Sequence, residues 1–377
     1  MLLVTVFLVT RGHGVSVSHG GKNSKTRENE KIATCGRFWY NAAEVRIMSN
    51  VTYLETGSTD PAYNLAFEEY VLTHRTQGDY LLLWQNDNTI VVGQNQNTAQ
   101  EIDPAFVKER HITVVRRGTG GGAVYHDLGN LNYSFITDTG AAERLTMDRF
   151  TRPIVEALQN LGLNAEASGR NDILVEGRKV SGTAQRLVHG RILHHGTLLF
   201  DSRPEMIAGA LRVDQAKFTS KSAKSVKSRI GNIREFLPAD MTLPEFWEYL
   251  KRQLAGTGLV QSALTADELA QVSRLADEKY RTWEWTYGRS PKFNMVKRNY
   301  FTGGRLEVGV SVDHGSITEI RFYGDFLSLT DTTPLCRALE GVAYREDAVA
   351  AVLDSQPMAE MFGGITRDEV LRTIFNQ

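Results

Sequence analysis

The segment that most restricts the possible fold is the glycine-rich stretch RRGTGGGAVYHDLGN, which runs from Arg116 to Asn130. A strand-like run ending at Val114–Arg116 places two arginines directly before a loop with four glycines in five positions. Glycines allow positive φ angles and close backbone approach, so successive N–H groups can converge on an anion that an arginine also binds. A tight turn with solvated arginines explains the same residues equally well. The segment therefore predicts either an anion-binding loop or a simple turn.

The same stretch excludes two common nucleotide-binding folds. Gly118, Gly120 and Ala123 fit a loose G-x-G-x-x-A pattern, and Asp138 lies near the spacing of a ribose-binding carboxylate. A dinucleotide-binding fold needs a helix directly after the glycines, whereas AVYHD and NLNYSFIT have the pattern of extended strands. The sequence also has no G-x-x-x-x-G-K-[ST] motif.

From Val51 onward, strand-like stretches alternate with turn-like stretches. VTYLE from Val51 indicates a strand and PAYNLAFEEYVL a helix, while LLLWQNDNTIVVGQNQ predicts a hairpin that turns at Gln85–Asn88. Turns at Glu176–Gly177 and His189–Gly190 indicate further antiparallel strands. We therefore predict an α+β fold with a mixed, mostly antiparallel sheet packed by helices.

The chain is long enough for two domains. The segment WEWTYGRSP, which begins at Trp283, interrupts the helical pattern and precedes three strand-like runs. We predict a large domain over residues 49–282, which contains the glycine-rich segment, and a small α+β C-terminal domain over residues 283–377. From Arg11 to Arg46 the chain is basic, irregular and Ser/Gly-rich, which predicts that residues 1–48 are a disordered extension.

Charge and cysteine content restrict the partners and the compartment. The 43 Lys and Arg residues balance 44 Asp and Glu residues, so there is no overall field that attracts nucleic acid or an anionic membrane. No apolar run is long enough for a transmembrane helix. The two cysteines, Cys35 and Cys336, have no neighbour at metal-ligand spacing. We therefore expect a cytoplasmic protein without structural zinc, nucleic acid or membrane as a partner.

A second polar segment, GRNDILVEGRKVSGTAQR, offers groups that suit a metal–phosphate pair. Asp172 precedes an apolar strand and Lys179 follows a tight turn, which supplies a carboxylate for Mg²⁺ and a cation for a phosphate. A lysine in such a position is usually solvated, and Asn171–Asp172 also suits a turn cap. The functional interpretation depends on the coincidence of several such segments.

The third segment, HHGTLLFD, contains the adjacent residues His194 and His195. Neighbouring side chains in a strand face opposite sides of the sheet, so the two imidazoles cannot bind one metal ion together. We predict that at least one of them is buried in the core or lines a pocket.

Together these motifs resemble the lipoate-protein ligase family, within the group that includes biotin ligases. The resemblance rests on RRGTGGGAVYHDLGN, on GRNDI followed by RKVSGTAQR, on HHGTLLFD and on SVKSRIGNI, and it extends from about Thr52 to the C-terminus. Thr119 stands where the family often has serine, which preserves the hydroxyl group. The resemblance implies that lipoate and ATP are joined with Mg²⁺ to form lipoyl-AMP. The acceptors would be lipoyl domains of 2-oxoacid dehydrogenase complexes and the glycine cleavage H protein.

The resemblance also implies roles for particular residues. Lys179 would be the catalytic lysine, and Asp172 would lie near the magnesium ion. The adenylate would be bound by Arg117, Lys179, Asn171, Asp172, Gly122, Ala123, Val124 and Tyr125. Lipoate would be bound by Lys179, Arg117, His195 and Gly196.

Three alternatives remain at this level. A transferase could use preformed lipoyl-AMP, an octanoyltransferase could use a cysteine thioester, and a non-catalytic protein could sense lipoyl-AMP. The positions of Cys35 and Cys336 outside the motifs argue against the cysteine mechanism. A basic stretch predicts a solvated surface, a cover over the adenylate or a contact for an acidic acceptor; it contains Lys217, Lys221, Lys224, Lys227 and Arg229.

Overall fold

The computed structural model describes residues 51–139, 147–211, 229–255, 258–288, 293 and 295–375. The predicted extension over residues 1–48 lies outside the described residues, as do Lys217, Lys221, Lys224 and Lys227 of the basic stretch. None of the helices within the described ranges is both long enough and apolar enough to cross a bilayer.

The described elements include fourteen strands and eleven α-helices. The strands are β1 Val51–Glu55, β2 Asp79–Trp84, β3 Thr89–Val92, β4 Thr113–Arg116, β5 Val124–His126, β6 Asn130–Asp138, β7 Ala165–Ser168, β8 Asp172–Val175, β9 Arg178–Val188, β10 Arg191–Leu199, β11 Leu259–Gln261, β12 Met295–Phe301, β13 Gly304–Asp313 and β14 Ser316–Gly324. The α-helices are α1 Pro61–His74, α2 Thr98–Glu101, α3 Pro104–Glu109, α4 Met147–Asn160, α5 Pro204–Ala210, α6 Leu243–Ala255, α7 Ala266–Leu275, α8 Thr333–Leu339, α9 Glu346–Asp354, α10 Met358–Phe362 and α11 Arg367–Phe375.

The largest sheet has the strand order β11-β1-β2-β6-β10-β9-β8-β7. β1 pairs in parallel with β11 and β2, and every other neighbouring pair in this order is antiparallel. Tight turns at Glu176–Gly177 and His189–Gly190, in which all four residues have positive φ, connect β8 to β9 and β9 to β10. The prediction of a mixed, mostly antiparallel sheet is confirmed.

The large sheet is packed by helices on both faces because its central strands are apolar on both sides. In β2, Leu81 and Leu83 face a core that contains residues of α4 and α6. Leu82 and Trp84 face the opposite core, to which α1 and α7 contribute. This alternation is the two-residue period of a strand buried on both faces.

The hairpin predicted around Gln85–Asn88 is wrong. β2 belongs to the large sheet, whereas β3 is the centre of a separate three-stranded sheet with the order β4-β3-β5. The intervening polar residues connect the two sheets: Asn64 Nδ2 donates to Gln85 O at 2.7 Å and to Asn86 Oδ1 at 3.0 Å. The Asn/Asp-rich segment, whose composition suits a hairpin turn, therefore connects two different sheets.

The glycine-rich loop joins β4 to β5 in this small sheet, and no helix follows it before β6, as predicted. Thus the loop lies at the edge of a sheet that packs on the Trp84 side of the large sheet, where Val91, Val115 and Val124 join the core around α1.

The C-terminal strands β12, β13 and β14 form an antiparallel sheet with its own hydrophobic core beneath helices α8 to α11. The segment after β14 contacts the glycine-rich loop: Gly121 N–H donates to Phe326 O at 3.1 Å. Leu187 N–H of β9 likewise donates to Leu329 O at 2.7 Å. The C-terminal region therefore covers part of the loop.

Candidate active site

A cavity lies where the small β4-β3-β5 sheet meets the Trp84 face of the large sheet. Its walls include most of the residues that the sequence analysis selected, from motifs that are far apart along the chain. These are Arg117, Gly122, Ala123, Val124, Asn171, Lys179, His195 and Gly196. The three principal motifs therefore converge on one cavity.

Apolar side chains contribute to the same walls, which suits an aliphatic ligand. Leu65 of α1, Trp84 of β2 and Val91 of β3 line the cavity together with the polar groups. A pocket that is largely apolar with a few convergent polar groups is typical of small-molecule sites.

Arg117 holds the glycine-rich loop in shape from within. Its guanidinium donates to Thr119 Oγ1, to Val91 O at 3.1 Å, to Gly120 O at 2.6 Å and to Gly122 O at 2.8 Å. Burial lowers the pKa of this group to about 10, although the nearby Glu68 carboxylate opposes the shift. Arg117 remains cationic at neutral pH and places a positive charge in the cavity wall.

Arg116, the other arginine of the pair, is fully buried and does not line the cavity. It donates to the carbonyl groups of Gly93, Gln94 and Gln96 at 2.7–2.9 Å. It also donates to the carbonyl groups of Trp285 and Thr286, each at 2.9 Å. The two adjacent arginines thus differ in role, because Arg116 joins the loop after β3 to the segment that precedes the C-terminal region.

Lys179 and Asp172 face each other at the β8–β9 edge of the site. Lys179 Nζ lies 2.7 Å from Asp172 Oδ1, and both side chains are about one-third exposed, at 38% and 35%. The Asn171 side chain is fixed beside them because its Nδ2 donates to Thr183 O at 2.8 Å. Lys179 is therefore not simply solvated, and the ion pair positions its ammonium group at the cavity.

Segment 229–231, at the end of the basic stretch, continues this edge. Lys179 N–H donates to Arg229 O at 2.8 Å, and Gly231 N–H donates to Lys179 O at 2.9 Å. The backbone of Lys179 is consequently held between two segments, which fixes the start of its side chain.

A buried chain of hydrogen bonds connects α1 to the glycine-rich loop through His195. His195 Nδ1 lies 2.9 Å from Glu68 Oε1, and His195 Nε2 lies 2.8 Å from Thr119 Oγ1. Glu68 also accepts from Ser134 Oγ at 2.6 Å. The carboxylate can only accept here, which places the imidazole proton on Nδ1 and makes Nε2 the acceptor for Thr119.

Sequence reasoning missed Glu68, which is 4% exposed. The signal available was a pair of adjacent acidic residues, Glu68 and Glu69, in an otherwise apolar helix. The hydroxyl group of Thr119 is part of this chain, because it contacts His195 Nε2.

The two adjacent histidines face opposite sides, as predicted. His194 stacks on Phe150 with a centroid distance of 4.9 Å in the core beneath α4, and burial there lowers its pKa. Among the described residues, no group of three His, Cys, Asp or Glu side chains is arranged to bind a metal ion.

Tyr125 and Asp172 do not contribute side chains to the cavity wall. Tyr125 is 2% exposed, and its hydroxyl group donates to Asn88 Oδ1 at 2.9 Å on the other side of the small sheet. Asp172 is joined to the site through its ion pair with Lys179.

Two sequence-family models match the chain. The one described as the lipoyl protein ligase A/B catalytic domain matches residues 60–255, and the one described as the bacterial lipoate protein ligase C-terminus matches residues 290–374. The chain is 42% identical to the lipoate-protein ligase LplJ of Bacillus subtilis over 84% of its own length and 97% of that protein. It belongs to the lipoate-protein ligase family.

A second curated relative and two solved structures are also similar to the chain. Lipoate–protein ligase 1 of Staphylococcus aureus is 41% identical over 83% of this chain and 96% of its own length. Among solved structures, LipL1 of P. falciparum in complex with lipoate has a TM-score of 0.73 at 23% identity, covering 87% of this chain and 100% of that chain, which establishes the shared fold. A lipoate-protein ligase A bound with ATP has a TM-score of 0.55 at 27% identity, covering 64% of this chain and 99% of that chain.

Proposed function

We propose that this protein is a lipoate-protein ligase that activates lipoate with ATP to lipoyl-AMP and transfers the lipoyl group to a lysine of an acceptor protein. The observation that supports it most directly is the convergence of Arg117, the glycine-rich loop and Lys179 on one cavity. Two relatives with this name are 42% and 41% identical to the chain over the aligned residues, and related solved structures contain lipoate or ATP.

The proposed reaction needs positive charge in the site because a carboxylate must attack the α-phosphate of ATP, and both reactants are anionic. Lys179 would stabilise the charge that develops on the α-phosphate, and Arg117 would hold the loop that faces the acyl-phosphate group. After pyrophosphate leaves, the acceptor's lysine amine attacks the acyl carbon and releases AMP. Lys179 would again stabilise negative charge in that second step.

The residues present fit a magnesium ion next to the phosphates. Mg²⁺ is commonly bound through one or two carboxylates, with substrate phosphates and water as the other ligands. Asp172 offers a partly exposed carboxylate directly beside Lys179. When bound, the ion would neutralise part of the negative charge on the phosphates.

The acceptors that we propose are lipoyl domains of 2-oxoacid dehydrogenase complexes and the glycine cleavage H protein. A solved relative from Thermoplasma acidophilum is described together with its E2 lipoyl domain; it has a TM-score of 0.55 at 29% identity. We also retain as proposals the division of the chain into residues 49–282 and 283–377, which the extents of the two family models support, and a cytoplasmic location.

A cysteine-dependent octanoyltransferase is disfavoured by the environment of Cys336. This thiol is 1% exposed, and burial raises its pKa to about 11, so little thiolate exists at neutral pH. Cys336 lies in the C-terminal core rather than in the cavity that contains Lys179.

The decisive experiment mixes the protein with ATP, Mg²⁺, lipoate and an apo lipoyl domain, and weighs the domain by mass spectrometry. We expect the mass of the domain to increase by one lipoyl group only when ATP is present. A domain that is modified by synthetic lipoyl-AMP but not by lipoate and ATP would instead identify a transferase. Binding of lipoyl-AMP without modification of any acceptor would identify a sensor.

A further inference from the structure

Four cavity residues form one straight row across the large sheet. Trp84 of β2 is in register with Asn132 of β6, which is in register with Thr197 of β10. Gly182 of β9 donates its N–H to Thr197 Oγ1 at 3.2 Å, and all four residues line the cavity. Since neighbouring strands are about 4.8 Å apart, the row is roughly 14 Å long.

Lys179 marks one end of the row. Its Nζ atom would be 3.0 Å from a Cβ atom placed on Gly182. A carboxylate or phosphate attracted by Lys179 therefore lies at the Gly182 end. Asn132 is two strands away, about 10 Å from that end.

His126 lies at the opposite end of the row, near Trp84. Its Nδ1 is 3.1 Å from Nδ2 of Asn86, two residues beyond Trp84, and because an amide nitrogen only donates, Nδ1 must be the acceptor. The proton of the neutral ring is then on Nε2. Burial, together with the positive charge of Arg117, lowers the pKa of His126 to about 3, so the ring is neutral at physiological pH.

Two buried donors at this end have no hydrogen-bond partner among the described residues. They are His126 Nε2 and Asn132 Nδ2, on side chains that are 3% and 2% exposed. Asn132 Oδ1 accepts from Asn130 Nδ2 at 3.0 Å, which turns the Asn132 amide nitrogen away from Asn130. Buried donors without an acceptor are costly, so native structures normally satisfy them.

We propose that His126 Nε2–H and Asn132 Nδ2–H recognise the sulfur-bearing ring of the acyl substrate and thereby make the enzyme prefer lipoate to straight-chain or carbocyclic acids. This inference rests on the proposed function. An acid whose carboxylate lies near Lys179 extends its chain along the row toward Asn132. A sulfur atom is a weak acceptor that can satisfy these donors, whereas a methyl or methylene group at the same place leaves both unsatisfied.

The test compares three acids in ATP–pyrophosphate exchange: lipoate, octanoate and 5-cyclopentylpentanoate, which replaces both sulfur atoms by methylene groups and keeps the ring. We expect the wild-type protein to have a higher kcat/KM for lipoate than for the carbocycle. In Asn132→Leu, which has nearly the same shape without the donor, that ratio should fall about tenfold. Thr197→Val is the matched control, because it alters the same row near Lys179 and should change the kcat/KM for all three acids alike.

His126→Phe provides an independent second variant that retains a ring. If Asn132→Leu does not fold, the ratio of kcat/KM for lipoate to that for the carbocycle is measured in His126→Phe instead. An unchanged ratio of lipoate to carbocycle in a folded variant would refute the role of the donors while leaving the ligase function intact. Absence of exchange by the wild-type protein with all three acids would refute the proposed function and this specificity with it.

Discussion

Thr119 Oγ1 lies 2.8 Å from His195 Nε2, which connects the glycine-rich loop to the centre of the large sheet inside the cavity. The same hydroxyl oxygen accepts from Arg117 Nε at 2.9 Å. The loop is therefore fixed by side chains rather than held only by its glycines. The predictions below test this architecture.

Replacement of Lys179 by Ala should slow adenylate formation by on the order of a hundredfold or more without unfolding the protein. The reason is the loss of the cation that offsets charge developing on the α-phosphate. The rate of pyrophosphate release with lipoate and ATP measures the effect. Lys108→Ala, which removes an exposed lysine of α3, is the matched control and should have the wild-type rate.

Replacement of Glu68 by Leu should lower the free energy of unfolding by about 2–4 kcal/mol, since it leaves the buried donors of Ser134 and His195 without an acceptor. Glu68→Gln retains an acceptor oxygen, so its free energy of unfolding should fall by less. Urea unfolding of the two variants measures the difference. Equal stability of both variants would contradict the proposed hydrogen-bond chain.

Arg116→Met should lower the free energy of unfolding by at least about 3 kcal/mol, because several buried carbonyl groups lose their donor at once. Urea unfolding gives the magnitude, and the rate of proteolytic cleavage near Trp285 shows whether the segment before β12 is released. Arg116→Lys retains the charge but not the planar array of donors, so it should recover only part of the loss. Full recovery by lysine would mean that charge alone matters at this position.

Gly120→Ala should destabilise the protein by roughly 1–3 kcal/mol through overpacking. A Cβ atom there would lie 2.7 Å from Phe326 O and 2.9 Å from Ser328 N, so the contact between the loop and the C-terminal segment must shift. Gly122→Ala, in the same loop, has no atom within 4 Å of the added Cβ and is the matched control for stability. Similar denaturation midpoints for the two variants would contradict this packing.

The stability of the protein should fall as the pH decreases below about 6.5. The pKa of His126 is lowered in the folded state to about 3, so between these values the unfolded chain binds a proton at His126 that the folded chain does not. The effect on the free energy of unfolding should be about 1.4 kcal/mol per pH unit, and the stabilisation is fully present above pH 6.5.

Urea unfolding of the wild type and of His126→Phe between pH 5 and pH 7 measures this contribution. The variant should have the shallower dependence on pH. Parallel curves for the two proteins would show that His126 does not contribute. His194, whose pKa is also lowered by burial, adds to the slope in both proteins.

The sequence predicts the strands of the large sheet well because local patterns encode them. The apolar run of β2 and the positive-φ turns at Glu176–Gly177 and His189–Gly190 are properties of a few adjacent residues. The polar turn at Gln85–Asn88 is equally clear as a turn, but its composition does not tell whether the next strand returns to the same sheet. That choice depends on tertiary contacts such as the one from Asn64 to Asn86.

For the candidate site, the sequence identifies the segments that form the cavity, but it does not identify the role of each residue in them. Arg116 and Arg117 are adjacent and chemically identical, yet only Arg117 lines the cavity. The acidic pair in α1 does not tell that Glu68 is the residue that reaches His195, since that contact exists only in the fold. Such roles arise from contacts between residues distant in sequence, and short motifs do not specify them.

The row from Trp84 to Gly182 takes one residue from each of four strands, so the chemistry of the cavity depends on how those strands are aligned. A slip of β6 by a single position would turn Asn132 toward the opposite core and bring Leu131 or Tyr133 into its place. Faults in the alignment of β6 or β10 would therefore alter which acid is bound even when every side chain of the site is intact.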